Sequence, residues 1–178
     1  MRGFALAAAL LLAGCVSQPD ATTPQPVAGV EVQRYLGTWL EVARLPMWAQ
    51  DSSSVSCEDV TATYTLRPDG RIGVVNRCLN VLDGDRPRQA EGQAYAVEGS
   101  HNARLRVSFF WPFFGNYWVI GLDPDYRWAV VGEPSRRWLW VLSRTPKLDP
   151  AELDKALGIA RANGYDLSTL KVARLQKG

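Results

Sequence analysis

The sequence has few of the residues on which most catalytic and metal sites depend. It contains one histidine, His101, within a turn-like run at residues 98–102, and three cysteines, Cys15, Cys57 and Cys78. A single histidine argues against Ser-His-Asp and Cys-His catalysis and against histidine-rich zinc sites, and the cysteines are not spaced as metal ligands. The sequence therefore predicts no catalytic residue, no metal site and no cofactor, and we do not expect an enzyme.

The sequence also lacks a strong excess of charge and, at its amino end, an apolar run long enough to cross a membrane. Its formal net charge of +2 gives no indication of a nucleic-acid partner. The run Phe4–Leu12 has nine residues, whereas a membrane-spanning helix needs about 20. Because Arg2 precedes it, this run predicts a secretory signal peptide over residues 1–14.

The end of the predicted signal peptide resembles a site of lipid attachment. Leu11-Leu12-Ala13-Gly14-Cys15 is similar to a bacterial lipobox, whose cysteine receives lipid on its sulfur and on its amino group. A plain signal peptide followed by an incidental cysteine is the alternative. We expect Cys15 to carry acyl chains such as palmitate, residues 15–29 to form a flexible tether rich in Pro and Thr, and residues 30–178 to form one domain.

The middle of the chain alternates between short apolar–polar runs and turn residues, a pattern typical of consecutive β-strands. Val60–Leu66 alternates with period two, and the turn Pro68-Asp69-Gly70 follows it. Connections this short indicate antiparallel neighbours in a meander or a barrel. The eight predicted strands are Trp39–Arg44, Val60–Leu66, Arg71–Val81, Arg88–Val97, Arg104–Phe110, Tyr117–Leu122, Trp128–Gly132 and Trp138–Ser143.

One helix is predicted after these strands. Asp149 is a suitable N-cap and Pro150 suits the first helical position. Glu152 stands at the third helical position, as in a capping box, and Gly164 ends the helix. A further short strand is expected at Leu170–Leu175. The sequence thus predicts an all-β fold, an eight-stranded antiparallel up-and-down β-barrel with one C-terminal α-helix packed outside.

Three motifs, in order along the chain, resemble those of the lipocalin family. Gly37-Thr38-Trp39 matches the Gly-x-Trp motif that opens the lipocalin barrel, and Asp123-Pro124-Asp125-Tyr126 stands where the family has Thr-Asp-Tyr. Trp140–Pro146 matches the third motif, which includes Arg144. Together with the lipobox, these motifs resemble the bacterial outer-membrane lipoprotein lipocalins, relatives of apolipoprotein D. One departure is Asp123-Pro124 where Thr is usual.

The resemblance implies a barrel that is closed at one end. Trp39 is expected to plug the narrow end, and Gly37 to allow close approach of the backbone there. Arg144 is expected to stack its guanidinium on the Trp39 indole, a cation–π contact of about 0.5–2 kcal/mol, and to donate to backbone carbonyls. These three roles are structural and say nothing about a ligand.

Strand parity then predicts which residues face the ligand cavity that the resemblance implies. Side chains two apart share a face, so Tyr117, Val119 and Gly121 are expected to face inward, and Trp118, Ile120 and Leu122 to lie under the helix. Ordinary core packing is the alternative for each aromatic residue. The predicted ligand-binding residues are Ala62, Tyr64, Asn76, Leu105, Val107, Phe109, Tyr117, Val119, Trp140 and Leu142.

Function is predicted from the same resemblance. It implies a fatty acid, lysophospholipid or similar amphiphile held in the barrel for lipid storage or transport in envelope maintenance. The protein is expected on the periplasmic side of the outer membrane, because Val16 and not Asp follows the lipid-carrying cysteine. A homodimer is left open. The alternatives are a lipocalin-type isomerase or synthase with Cys78 as a free nucleophile, and a structural lipoprotein with a filled barrel.

Two features of the sequence leave their interpretation open. In an exported domain, Cys57 and Cys78 favour a disulfide over two free thiols. A two-residue turn at Asp69-Gly70 would however place Cys78 opposite Thr61, so the bridge requires a bulge or a bend before Val60. Separately, the aromatic run Phe109–Gly115 is predicted as a loop that contacts a membrane, a partner or the ligand, or folds back as a plug.

Overall fold

The computed structural model describes residues 23–177, apart from the side chain of Lys177. The predicted signal peptide and Cys15 lie outside this range. Among the helices in the described range, none is long and apolar enough to cross a bilayer. The elements are α1 (Val32–Tyr35), β1 (Gly37–Arg44), β2 (Cys57–Leu66), β3 (Ile72–Asn80), a 3-10 turn (Val81–Asp83), β4 (Arg86–Ala96), β5 (Arg104–Phe110), β6 (Phe113–Leu122), β7 (Trp128–Gly132), β8 (Leu139–Ser143), α2 (Pro150–Ala162), β9 (Lys171–Val172) and α3 (Arg174–Lys177).

Eight of these strands form a closed antiparallel barrel, as predicted. From β2 to β8 each strand pairs with the next, and β1 pairs with both β8 and β2. Strand β9 adds to β1 only through Ala43 and Arg44. Short hairpin connections favour an up-and-down meander. Closure of the barrel pairs the backbone N–H and C=O groups that the edge strands of an open sheet would expose.

The barrel has two different ends, which we call the base and the mouth. At the base lie the first residues of β1 and the last of β8, where α1 and the motif residues Trp39 and Arg144 meet. At the mouth lie the four connections β1–β2, β3–β4, β5–β6 and β7–β8. Because neighbouring strands are antiparallel, every second connection falls at the same end.

Helix α2 packs outside the barrel against β6, β7 and β8. Asp149 caps it by accepting a hydrogen bond from the Ala151 amide at 2.9 Å. Glu152 does not complete a capping box, since its carboxylate accepts from the Trp128 indole nitrogen instead. The outer faces of the strands and the helix share one apolar cluster, which includes Trp118, Ile120, Trp128, Val130, Val141, Ala156, Leu157 and Ala160.

The aromatic run at residues 109–115 is not a loop. Phe110 ends β5 and Phe113 begins β6, and the two residues pair directly across the hairpin. Only Trp111 and Pro112 form the turn between them. The loop prediction was wrong because Pro112 occupies the turn itself and leaves the flanking aromatic residues, which favour strands, free to pair.

The predicted strand at 170–175 is also shorter than expected. Only Lys171 and Val172 pair with β1, and the chain then turns into α3. The backbone amide of Ala173 donates to the Val42 carbonyl at 2.9 Å, which extends the contact by one residue. Contact with β1 therefore ends at Ala173, and Leu175 is exposed.

Cys57 and Cys78 form the disulfide, with an S–S distance of 2.03 Å and Cα atoms 5.4 Å apart. The register explains how they meet. A bulge between Glu58 and Thr61 places Cys57 opposite Asn80, so that Cys78 is a diagonal neighbour. Asp59 within this bulge has a positive φ of 51°. The bridge thus joins β2 to β3 near the mouth, and it removes Cys78 as a candidate nucleophile.

Part of the predicted tether packs on the barrel. The Val27 amide donates to the Val119 carbonyl at 2.8 Å, and the Val30 amide to the His101 carbonyl at 2.9 Å. Pro24 is fully buried. Residues 24–29 therefore contrast with the flexible tether expected for them. The reason is that β6 continues past Trp118, its last residue paired with β5, so the Val119 carbonyl accepts a hydrogen bond from this segment.

Candidate ligand-binding site

The half of the barrel next to the base is filled by its own side chains. A cavity there, bounded by Val30, Tyr35, Tyr64, Leu105 and Val119, has a volume of about 10 Å³, which is no more than a single water requires. An alkyl chain does not fit in this cavity. The buried inward residues are Tyr35, Trp39, Tyr64, Ile72, Val74, Ala94, Leu105, Val119, Ala129, Val131 and Leu142.

Three tyrosines form the top of this filled half. The Tyr117 hydroxyl lies 2.8 Å from that of Tyr35 and 2.9 Å from that of Tyr64. Burial raises the pKa of all three phenols, that of Tyr64 to about 12. The cluster is therefore neutral at physiological pH and presents a hydrogen-bonded polar layer across an otherwise apolar barrel.

The base is closed by Trp39 and Arg144. Trp39 is fully buried, and its indole nitrogen donates to the Tyr35 carbonyl at 2.8 Å. The Arg144 guanidinium lies 3.7 Å from the centre of the Trp39 ring. Its two terminal nitrogens donate to four carbonyls of the segment that enters β1, those of Arg34, Tyr35, Leu36 and Thr38. This arginine thus fixes the entry of β1 over the end of the barrel.

In the half of the barrel next to the mouth the inward side chains are only partly buried, and we call the space that they face the upper hollow. Trp39, Ala62, Asn76 and Ala90 are successive partners across four neighbouring strands, so their side chains share the inner face. Ala90 is nevertheless exposed, so this face is in contact with solvent. The half-buried inward residues of the upper hollow are Ala62, Asn76, Val107, Phe109, Tyr117 and Trp140.

Small residues make room in the upper hollow. A Cβ at Gly92 would lie 2.8 Å from the Phe109 ring and 2.6 Å from the Ser108 carbonyl oxygen. Glycine at this position therefore lets the Phe109 ring approach the β4 backbone closely. Apart from Asn76 and the paired Glu41 and Arg44 beside Trp140, the wall is mostly apolar, which suits an alkyl chain.

One polar atom in the upper hollow has no partner. Within the described residues, two buried side-chain oxygens lack a hydrogen bond, Asn76 Oδ1 and Ser108 Oγ. Asn76 shares the inner face with Ala62 and Ala90. A buried unpaired acceptor costs about 1–3 kcal/mol, so a ligand hydroxyl that displaced the side chains covering Asn76 Oδ1 would relieve that cost.

A buried ionic network holds the β1–β2 connection at the mouth. The Arg44 guanidinium donates to Glu41 at 2.6 Å and to both carboxylate oxygens of Asp51 at 2.7 and 2.8 Å. Gln50 joins the Glu41 carboxylate, at 2.8 Å, to the Trp140 indole nitrogen, at 3.1 Å. Burial raises the pKa of Glu41 against the opposing effect of Arg44. Because Arg44 is paired on every side, it serves to position this connection.

Asp51 also belongs to this network. Burial by itself would raise its pKa, but hydrogen bonds from Arg44 and Lys171 lower the pKa below its usual range. The carboxylate therefore stays ionised and ties β9 to the β1–β2 connection. In the described part of the chain, no group of three or more His, Cys, Asp or Glu side chains is arranged to hold a metal ion.

The structure divides the ten predicted ligand-binding residues between the two halves. Tyr64, Leu105, Val119 and Leu142 are buried in the filled half, where they pack against protein. The other six line the upper hollow, and their role in binding stays a prediction. Gly121 was assigned to the wrong face: a Cβ there would lie 3.1 Å from Ile159 of α2. A bulge between Val119 and Gly121 reverses the parity and turns Leu122 toward the inner cluster.

Sequence reasoning missed several residues of the site. Tyr35 lies in α1, outside any strand, so strand parity gave no signal for it. Gln50 contacts Trp140 from a connection without regular structure. Ala90 is inward by its pairing with Asn76, and the alternation of residues 88–97 would have found it.

Comparison with known proteins decides the family. Residues 30–174 match the family described as Lipocalin-like domain. The chain belongs to the lipocalin family. It is 40% identical over 168 residues to the Outer membrane lipoprotein Blc of Vibrio cholerae, covering 94% of each chain. It is 41% identical over 164 residues to the protein of that name from Escherichia coli K12, covering 92% of this chain and 90% of that one.

More distant lipocalins support the same conclusion. Bovine apolipoprotein D is 29% identical over 150 residues, which cover 80% of this chain and 75% of that protein. The solved structure of insecticyanin from Manduca sexta superposes with a TM-score of 0.65 at 17% identity, over 84% of this chain and 82% of that one. At this identity the likeness to insecticyanin supports the fold alone.

Proposed function

We propose that this lipocalin binds one long-chain amphiphile, a fatty acid or a lysophospholipid, in the upper hollow. The observation that carries the proposal is the contrast between the filled half, with about 10 Å³ of free space, and the half-buried, mainly apolar wall above Tyr117. Each methylene buried against that wall contributes about 0.8 kcal/mol. Asn76 Oδ1 offers an acceptor for a hydroxyl, which favours a ligand with a polar head such as a lysophospholipid.

The proposal includes a place in the cell. The relatives named outer membrane lipoprotein, together with the lipobox-like sequence at Cys15, support a lipid-anchored protein on the periplasmic side of the outer membrane. Several acyl chains would hold it there stably, since a single chain gives only marginal binding. Its role would be storage or transport of lipid at that membrane. The formation of the Cys57–Cys78 disulfide removes the nucleophile on which an enzymatic role was considered.

The binding experiment uses two variants of adjacent residues on β4. Ala90→Trp would place an indole in the upper hollow, whereas Glu91→Trp would place the same side chain on the outer face. We expect lipid to co-purify with the wild-type protein and with Glu91→Trp, as detected by native mass spectrometry. Ala90→Trp should lose most of that lipid. Equal lipid in both variants, or none in the wild type after challenge with lysophospholipid, would refute the proposal.

A further inference from the structure

The mouth carries most of the large apolar side chains that the described part of the chain exposes. Nine such residues are exposed, and six of them lie on or directly beside three connections at the mouth. Five of the six are 58–79% exposed, and Val81 is 37% exposed. We call these six the apolar rim: Trp48 in the β1–β2 connection, Val81 and Leu82 in the β3–β4 connection, and Phe110, Trp111 and Phe113 at the β5–β6 hairpin.

The hairpin extends the apolar rim away from the rest of the barrel. Strand β7 ends at Gly132, which pairs with Trp118. Among the described residues, none pairs with β6 on that side beyond Trp118 as far as Phe113, a distance of about 17 Å at the usual rise per residue. Phe110, Trp111 and Phe113 are therefore held clear of the barrel on a paired two-stranded support.

The chain that leads to the predicted anchor leaves the barrel on the mouth side. The Gln25 amide donates to Asn163 Oδ1 at 2.7 Å, and the Asn163 carbonyl accepts from Arg136 in the β7–β8 connection at 2.7 Å. Residue 25 thus lies next to a connection of the mouth. The eight peptide steps from Cys15 to Thr23 span at most about 29 Å when fully extended, so an anchor at Cys15 keeps this end of the barrel near its bilayer.

We propose that the mouth docks on a lipid bilayer through the apolar rim. The proposal rests on the proposed function, since the bilayer is the one that holds the anchor. Trp and Phe side chains partition to the boundary between headgroups and acyl chains. The rim side chains come from three separate connections around the upper hollow. A fluid bilayer suits them, because its surface adapts to their spacing. Docked in this way, the upper hollow faces the bilayer, and a lipid passes between the two without crossing water.

The test uses the full chain reconstituted into phosphatidylcholine vesicles, with and without bromine on the acyl chains. Brominated chains quench tryptophan fluorescence on contact, and Trp48 and Trp111 are 70% and 79% exposed. We expect quenching in the wild type and the loss of most of it in the double variant Trp48→Phe/Trp111→Phe. Quenching that survives in this variant and is lost on a further Trp140→Phe change reports brominated lipid in the upper hollow, so contact of the rim and uptake of ligand are read separately.

A second pair of variants tests docking without removing the reporters. Phe110→Asp combined with Phe113→Asp should abolish most of the quenching of Trp111, because two carboxylates oppose insertion of the hairpin. Leu66→Asp is the matched control, since Leu66 is also exposed but lies at the base, and it should leave the quenching unchanged. An unquenched wild type, as expected if the rim instead binds a protein, would overturn the proposal. So would quenching that neither double variant reduces.

Discussion

The two halves of the barrel are built from the same eight strands but differ in what their inward residues do. Toward the base, Trp39, Tyr35 and Tyr64 meet Leu and Val side chains and leave about 10 Å³. Toward the mouth, the inward positions of β2 and β4 are held by small residues, Ala62, Ala90 and Gly92. The comparison shows that closing a barrel does not by itself create a cavity. Side-chain volume, position by position, decides where the core ends and the hollow begins.

The largest expected effect is a difference in the free energy of unfolding between variants of the two halves. Trp39→Ala should lower the free energy of unfolding by about 3–5 kcal/mol, because it opens a cavity in the filled half. Trp140→Ala, in the half-buried wall of the upper hollow, should cost about 1–2 kcal/mol. Urea denaturation of both purified variants, followed by circular dichroism, measures the difference. Equal losses would show that the two halves contribute alike to the core.

A smaller effect is expected from the arginine that closes the base. Arg144→Lys keeps the charge but loses the fork that donates to four carbonyls, and should cost about 1–3 kcal/mol by the same measurement. Arg137→Lys, at the exposed β7–β8 connection of the mouth, is the control and should stay within about 0.5 kcal/mol of the wild type. A comparable loss in the control would argue against a special role for the base.

The smallest effect depends on pH and concerns the tyrosine cluster. Tyr64→Phe should cost about 1 kcal/mol near neutral pH through the lost hydrogen bond to Tyr117. Because burial raises the pKa of Tyr64 from about 10 to about 12, the stability due to its neutral form is present below pH 10 and is lost as the pH rises to 12. The stability of the wild type should therefore fall more steeply than that of the variant over this interval. Parallel curves of unfolding free energy against pH would contradict this assignment.

The base was predictable because its interactions are local to three recognisable segments. Trp39 and Arg144 belong to motifs with a known relation in the lipocalin family, and the structure places the guanidinium 3.7 Å from the centre of the indole ring. The inner faces of β2, β3 and β5 also follow the alternation of the sequence. Parity arguments work where the strand pairs regularly.

Two β-bulges limited what strand parity could predict, one near the mouth and one near the base. Register shifts occur between Glu58 and Thr61 and between Val119 and Gly121. The first brings Cys57 within reach of Cys78, and the second reverses the faces of Gly121 and Leu122. A bulge depends on how two strands distant in sequence fit together, so the alternation within one strand does not reveal it.

By itself, the sequence determined the order of the strands, the side on which the helix packs and the motif residues of the closed base. These follow from short-range patterns: period-two alternation, turn residues, a capped amphipathic helix and short connections. Tertiary structure alone decided that the hollow stops at Tyr117, that the apolar rim gathers at one end, and that residues 24–29 pack on the barrel. The physical reason is that filling a barrel depends on the summed volume of side chains from eight strands, which meet only once the barrel is closed.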